Sequence, residues 1–325
     1  MQALIFSFNA VAPIILMIAT GYFIKRTGLV KIETGKALNK LVFRLFLPAM
    51  VFLNVYKIEN ISTFDFGFVA YAVIFIITIF IIFIPIVIIA FRENTKRGVI
   101  IQSVFRSNYA LIGIPLAVSL FGDEGSIAAS VLSAFVIPLY NILAVISLSV
   151  FSADKIPSIK HSLVEIAKNP IIQGIAAGFL CLGIRAVFVC ANIPLRLSDA
   201  TWIYKVLEYL SVCATPIALI SLGAQFELGA IGRLKKYIIF GVGARTVIVP
   251  GLGILIAYLI GRFSGAHFAS FVAAFATPVA VSSVPMAQEM GADSSLAGQL
   301  VVWTTISSAI TIFAFSFILK QIGIF

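Results

Sequence analysis

Ten long apolar runs account for most of this 325-residue chain. A helix needs about 20 apolar residues to cross a hydrocarbon layer about 30 Å thick, whereas a strand of a membrane barrel needs only about 10 alternating residues. Hydrophobic residues make up 61% of the sequence and charged residues 11%, whereas about a quarter of the residues in soluble proteins are charged. We therefore predict an all-α integral membrane protein with spans at 6–24, 41–56, 67–91, 99–121, 127–150, 170–190, 206–226, 237–260, 268–288 and 296–319.

Lysine and arginine are distributed unevenly between the loops that alternate along the chain. Fourteen follow the first, third, fifth and seventh runs, and five lie in the other loops and the C-terminal segment. Because positive residues concentrate on the cytoplasmic side, both termini of this multi-pass protein are expected outside the cytoplasm, with the chain in the cell membrane. The same distribution explains the net charge of +10 without a nucleic-acid partner.

Several chemical functions are not expected from the sequence. The three cysteines, Cys181, Cys190 and Cys213, show no metal-ligand spacing, so neither a disulfide framework, a metal site nor a cofactor is predicted. No aspartate or glutamate falls in the middle of a run, and proton relays and cation sites normally need buried acids. A cation/proton antiporter is therefore not expected. An enzyme is not expected either, because no histidine pair, carboxylate pair or nucleophile with an evident base is found.

Two stretches of the sequence read as distorted copies of each other. They are N-Y-A-L-I-G-I-P-L-A at 108–117 and P-V-A-V-S-S-V-P-M-A at 278–287, with Pro115 and Pro285 each seven residues after the first position. Proline in a helix interior removes a backbone donor and clashes with the preceding turn. Paired interrupted segments in corresponding places of two halves point to the substrate site of a secondary transporter.

The repeat extends to an earlier pair of prolines. Pro48 and Pro216 precede the first pair by 67 and 69 residues respectively. Each half contains five runs, an odd number, so the second half is expected to be inverted relative to the first. We predict a first repeat at 1–151, a cytoplasmic linker at 152–169 that forms either an amphipathic surface helix or a solvated connector, and a second repeat at 170–325.

The prolines also predict where a ligand binds. Gly113 should let the fourth run unwind just before its proline, and the ninth run should break around Ser282 to Pro285. If the breaks meet, half-helix N-termini, each with about +0.5 charge, would face an anion. The predicted helix-crossover residues are Gly113, Pro115, Pro278 and Pro285. Polar side chains elsewhere either complete the cavity or join helices by hydrogen bonds: Tyr140, Asn141, Thr304, Thr305, Ser307 and Ser308.

Four arginines fall inside the runs or at their margins: Arg44, Arg106, Arg185 and Arg245. Arg44 and Arg185 lie near ends and can extend to the interface. Arg245 is interpreted as structurally paired or extended toward the cytoplasm. Arg106 either holds an anionic substrate, reaches lipid phosphate or binds the opened carbonyls of the kinked helix. The predicted substrate-binding residues are Asn108, Arg106, Ser282 and Ser283.

The segments F-R-S-N-Y-A-L-I-G-I-P-L-A at 105–117, followed by F-G-D-E-G, and A-T-P-V-A-V-S-S-V-P-M-A at 276–287 resemble bacterial members of the auxin efflux carrier family. The resemblance covers essentially the whole chain. It implies two inverted five-helix repeats, as in bile-acid and sodium/proton transporters, with the fourth and ninth helices crossing at their prolines and one unit sliding against a scaffold. Family members export auxin or carry malate, malonate and other organic anions.

The resemblance also implies a role for Asn108, because plant members use an asparagine before the first crossover to contact the substrate carboxylate. The equivalent position in the second half is Pro278, so a symmetric asparagine pair is absent. The expected function is a secondary carrier of a small organic anion. A sodium-coupled symporter of the same fold, with the ion held by opened carbonyls and hydroxyls, and a ligand sensor without net transport are alternatives. The substrate, the direction of transport, coupling to Na⁺ or H⁺ and the oligomeric state, with a homodimer as one alternative, remain open.

Overall fold

The computed structural model describes residues 2–58, 65–151, 164, 166–193 and 195–325. Regular structure in these residues is helical, apart from one isolated two-residue bridge, and this confirms the all-α prediction. The helices are α1 (Gln2–Arg26), α2 (Ile32–Tyr56), α3 (Phe66–Ala90), α4 (Asn94–Phe105), α5 (Tyr109–Val150), α6 (Pro170–Cys190), α7 (Thr201–Gln225), α8 (Ala230–Ile260), α9 (Gly265–Phe275), α10 (Ser283–Glu289) and α11 (Ser294–Gln321). Residues 152–163 and 165 of the predicted linker lie outside the described residues.

Many of these helices are long and apolar enough to cross a membrane. Within the described residues seven meet this criterion, namely α2, α3, α5, α6, α7, α8 and α11. The longest, α5, is two helical parts joined at a kink, because Phe121 and Gly122 have non-helical dihedral angles and Gly122 has φ 53°. The kink coincides with the end predicted for the fourth run at residue 121.

Three π-helical turns widen the helices, at Val42–Phe46 in α2, Tyr109–Gly113 in α5 and Ala244–Ile248 in α8. Each turn ends two residues before a proline, and these prolines are Pro48, Pro115 and Pro250. In each case the amide just before the proline bonds to the carbonyl five residues earlier. A wider turn relieves the clash of the proline ring with the preceding turn and accommodates its missing N–H.

The position expected for the first break was therefore wrong. Gly113 has right-handed helical dihedral angles, and Pro115 lies in the first turn of the α-helix that follows the π turn. The chain instead leaves the helix at residues 106–108, between α4 and α5. Pro115 lies inside α5, which runs from Tyr109 through the π turn, and this wider turn accommodates the missing N–H of the proline. Pro115 therefore does not interrupt the helix.

The second interruption covers residues 276–282, between α9 and α10. Pro278 lies within it, whereas Pro285 lies in the first turn of α10. The two interruptions meet, because Ser107 and Val279 form an antiparallel bridge and the N–H of Asn108 donates to the carbonyl oxygen of Pro278 at 2.8 Å. We call this contact the crossing. The two positions that the sequence repeat aligns, 108 and 278, thus lie opposite each other.

The helices can be divided into two groups, which also contact each other, above all where α1 packs on α11. Within the first group α1 packs on α7, and α2 packs on α6 and α7. The second group contains α3, α4, α5, α8, α9, α10 and α11, with α5 against α9 and α8 against α11. In the first group α1 and α7 approach closely at Gly21 and Gly223. A Cβ at Gly21 would clash with the carbonyl oxygen of Ile220, and one at Gly223 with that of Ile18.

A polar contact joins the two groups where α2 meets α10. The Nδ2 of Asn39 donates to Oε1 of Gln288 at 2.9 Å, and Nε2 of Gln288 donates to the carbonyl oxygen of Lys36 at 3.0 Å. Next to it, Nε of Arg44 lies 3.7 Å from Oε2 of Glu289. These three contacts link a helix of the first group to the half-helix that follows the second interruption.

Candidate functional site

Arg106 is a buried cation at the crossing with neutral partners. It follows the last residue of α4, and its extended backbone turns the chain out of the helix. Its side chain is 2% exposed, and Nη2 donates to Oγ of Ser282 and to Oδ1 of Asn141, both at 2.8 Å. Nη1 donates to Oε1 of Gln102 at 3.4 Å and to Sδ of Met286. No carboxylate among the described residues is within ion-pair distance of Arg106.

Three buried donors without described partners belong to residues near Arg106, or near its partner Ser282, in the sequence. Nε2 of Gln102, Nδ2 of Asn108 and Oγ of Ser283 are buried and have no hydrogen-bond partner among the described residues. Each such group costs about 1–3 kcal/mol if it stays unpaired. A buried cation with amide and hydroxyl donors nearby is the chemistry that binds a carboxylate.

The structure brings some of the predicted binding residues together. Arg106 and Ser282 are hydrogen-bonded directly, and Asn108 meets the second interruption through its backbone. Among the described residues no hydrogen bond connects the side chain of Asn108 or Ser283 to Arg106. The predicted set thus surrounds one crossing, although Arg106 and Ser282 are the pair in direct contact.

Gly113 has a packing role at the crossing. A Cβ at this position would lie 2.8 Å from the ring of Tyr109 and 3.0 Å from the carbonyl oxygen of Ala273. Glycine therefore lets the π turn of α5 approach α9 closely. Tyr109 is itself buried and donates its hydroxyl to the carbonyl oxygen of Ala129.

Other polar side chains join the interruptions to neighbouring helices. Thr304 of α11 accepts from the N–H of Val279 at 3.1 Å, and Tyr140 of α5 donates to the carbonyl oxygen of Ala274 at 3.0 Å. Thr305 and Ser308 bond carbonyls of their own helix. Asn141 lies at the candidate site, because it holds Arg106 while its own Nδ2 donates to Ile137.

The sequence predicted that Arg245 is structurally paired or extends toward the cytoplasm, and the structure shows it paired. It is fully buried in α8 and donates to backbone carbonyls of both interrupted segments, which the sequence did not identify as its partners. The sequence feature that could have indicated this role is the position of Arg245 five residues before Pro250, which places it within the π turn that precedes this proline. No cluster of three or more histidine, cysteine or acidic residues that could hold a metal ion is found in the residues that the structure describes.

Several membrane-length helices, together with two interrupted segments, α4–α5 and α9–α10, that meet beside a buried cation, match the arrangement of discontinuous helices found in secondary transporters. The chain belongs to the membrane transport protein family, that of the auxin efflux carriers, whose model matches residues 6–155 and 156–316. Together with the long apolar helices, this establishes a multi-pass membrane transport protein.

Three relatives are similar over most of their length. An uncharacterized transporter of Methanocaldococcus jannaschii is 26% identical over 262 residues, covering 78% of this chain and 79% of the relative. An uncharacterized transporter of Methanothermobacter thermautotrophicus is 22% identical, covering 96% and 98%. A Rhizobium meliloti protein named "Putative malonate transporter" is 24% identical, covering 96% and 95%.

Proposed function

We propose that this protein is a secondary carrier of a small organic anion and that the substrate carboxylate binds at Arg106. The observation that carries this proposal is a buried guanidinium whose described partners are neutral. A buried charge is costly unless it is paired, so an anion that pairs with Arg106 binds favourably. Asn108 and Ser283 supply the additional donors, since each has a buried side-chain donor without a partner.

The substrate class is a carboxylate of the size of malonate, malate or an auxin-like acid. A carboxylate would bind Arg106 through two parallel N–H···O bonds by replacing neutral partners that its Nη groups hold in this structure, and the buried donors of Asn108 and Ser283 would satisfy further oxygens. The name of the Rhizobium meliloti relative supports a dicarboxylate. Membership of the auxin efflux carrier family supports an organic anion as the substrate.

The proposed topology has ten membrane crossings in two inverted repeats. The fourth crossing is α4 with the first part of α5 up to the kink, the fifth is the rest of α5, and the ninth is α9 with α10. The direct contact between positions 108 and 278 supports the repeat, because equivalent positions of two inverted halves meet at their symmetry axis. Both termini are proposed to face out of the cell.

Transport is proposed to occur by elevator-type alternating access in the cell membrane. The group of α1, α2, α6 and α7 would act as the scaffold, and the other group, which holds the crossing, would carry the anion. The close packing of α1 on α7 and of α2 on α6 and α7 supports the scaffold group. Its boundary with the other group includes the packing of α1 on α11 as well as the polar contacts of α2 with α10, and the proposed motion requires these contacts to change.

Asn108→Ala tests the proposed site. The substitution removes a donor to the carboxylate, and we expect anion affinity to fall by roughly 10- to 150-fold, since a hydrogen bond to a charged group is worth about 1.5–3 kcal/mol. The measurement is a thermal-shift titration of purified protein with malonate, malate and indole-3-acetate, followed by uptake of the responding acid into proteoliposomes.

Two outcomes would contradict the proposal. The first is that no organic anion shifts the melting temperature of the unmodified protein or enters the vesicles. The second is that Asn108→Ala is folded, as judged by its melting temperature and size-exclusion profile, and binds the anion with unchanged affinity. Counterflow of labelled substrate separates a carrier from a sensor, because a sensor shows none.

A further inference from the structure

Arg245 lies in the π turn of α8 and is fully buried. Its Nε donates to the carbonyl oxygen of Thr277 at 2.9 Å, and its Nη2 donates to that of Ala274 at 3.1 Å. Its Nη1 donates to the carbonyl oxygens of Phe105 at 3.1 Å and Val104 at 3.3 Å. One guanidinium thus binds four backbone carbonyls, two from each interrupted segment.

These four carbonyls lie where the interruptions end the regular helix hydrogen bonding, and that of Ala274 also accepts from Tyr140. Val104 and Phe105 are the last two residues of α4, whereas Ala274 lies at the end of α9 and Thr277 just beyond it. The last four carbonyls of a helix have no partner within the helix. In transporters with broken helices, C-terminal half-helix ends and unwound carbonyls are the groups that coordinate a coupling cation.

The charges at this place also balance. A helix C-terminus carries about −0.5 of an elementary charge, so the ends of α4 and α9 together offer about −1. The single positive charge of Arg245 neutralises them. Arg106 is different, because its partners are neutral side chains and not helix C-termini. Its positive charge therefore remains available to an anion.

We infer that Arg245 is a built-in cation that takes the place of a coupling Na⁺ at the crossing, so that anion transport by this protein does not depend on sodium. The part of this inference that concerns transport rests on the proposed function, whereas the occupation of the carbonyl site by the guanidinium does not. Arg245 is a positioning residue, since it holds the two half-helix ends together and has no contact with the proposed carboxylate site.

The test uses Arg245→Ala, which replaces the guanidinium with a cavity lined by the four carbonyls. We expect its melting temperature in detergent to fall by roughly 5 °C or more. Millimolar guanidinium or methylguanidinium should restore part of this loss, whereas the unmodified protein should show no stabilisation. The control is Arg262→Ala, whose arginine has a 57% exposed side chain and should show no rescue.

Arg245→Lys keeps the positive charge with fewer donors. We expect an intermediate melting temperature. If the alanine protein does not fold, a folded Arg245→Lys supports the inference and an unfolded one overturns it. In a second arm, uptake of the transported acid by the unmodified protein is compared in sodium and in choline buffers. Equal rates are expected.

The inference is overturned if guanidinium stabilises Arg245→Ala no more than Arg262→Ala, if Arg245→Lys is no more stable than the alanine variant, or if uptake requires sodium. The melting-temperature arm needs no organic anion. It therefore distinguishes failure of this inference from failure of the proposed function, which shows itself as the absence of any anion response.

Discussion

At the scale of single residues, six buried polar side-chain atoms have no hydrogen-bond partner among the described residues, and three of them belong to residues at the crossing. The three are Gln102, Asn108 and Ser283. A buried unpaired donor destabilises the folded protein by about 1–3 kcal/mol. Gln102 and Asn108 are close to Arg106 in sequence, and Ser283 follows its partner Ser282, so the proposed anion would pair with these donors when it binds.

Ser283→Ala tests this explanation through opposite effects on stability and binding. Without ligand we expect the variant to be more stable than the unmodified protein, by about 1 kcal/mol, because a buried unpaired hydroxyl is removed. Its anion affinity should fall, since a donor is lost. Thermal unfolding with and without the anion measures both effects.

The control for this pair of measurements is Ser316→Ala in α11, another buried hydroxyl without a partner. This variant should gain similar stability and keep its affinity. Equal affinities of the two serine variants would show that Ser283 makes no contact with the anion.

At the scale of helices, the sequence predicted two interrupted helices with breaks just before Pro115 and around Ser282 to Pro285, whereas the breaks lie at residues 106–108 and 276–282. Pro115 lies inside α5, just beyond the π turn. The first break consists of arginine, serine and asparagine, which carry no local signal as strong as proline. The tertiary contact with Pro278 holds the extended backbone there, and single-sequence patterns do not encode such contacts.

The dependence on tertiary contacts also explains which site residues could be predicted from the sequence. Arg106 and Ser282 were predicted because each lies close to a matched proline motif. Arg245 was assigned to pairing or snorkelling because its partners are carbonyls of residues more than 25 positions away in sequence. Backbone acceptors are present at every residue, so their identity depends on the fold.

Close packing of α1 against α7 gives a prediction at this scale. Gly223→Ala places a methyl group against the backbone carbonyl of Ile18, which has to move for the helices to stay in contact. Small residues let membrane helices approach closely, and overpacking costs about 1–3 kcal/mol. We expect a lower melting temperature for this variant.

Gly183→Ala in α6 is the matched control. No atom lies within 4 Å of a Cβ at Gly183, so alanine should leave stability unchanged or raise it by about 0.5–1 kcal/mol through its better helix propensity. If both alanine variants unfold at the temperature of the unmodified protein, the α1–α7 contact is looser than the structure indicates.

At the scale of the whole molecule, the proposed mechanism requires the two helix groups to move past each other. The contact of Asn39 with Gln288 and the ion pair of Arg44 with Glu289 span the boundary between the groups. By contrast, Lys57 and Glu208, whose charged atoms are 3.4 Å apart, both belong to the first group. Motion between the groups would break the first two contacts and leave the third intact.

Cross-linking with a flexible thiol reagent distinguishes these pairs after Cys181, Cys190 and Cys213 have been replaced. A link between Asn39→Cys and Gln288→Cys should stop uptake and leave anion binding in detergent measurable, because the carrier is held in one state. A link between Lys57→Cys and Glu208→Cys should leave uptake unchanged, since both positions move together. Full uptake with the first pair completely cross-linked would rule out relative motion of the two groups, and lost uptake with the second pair would place their boundary elsewhere.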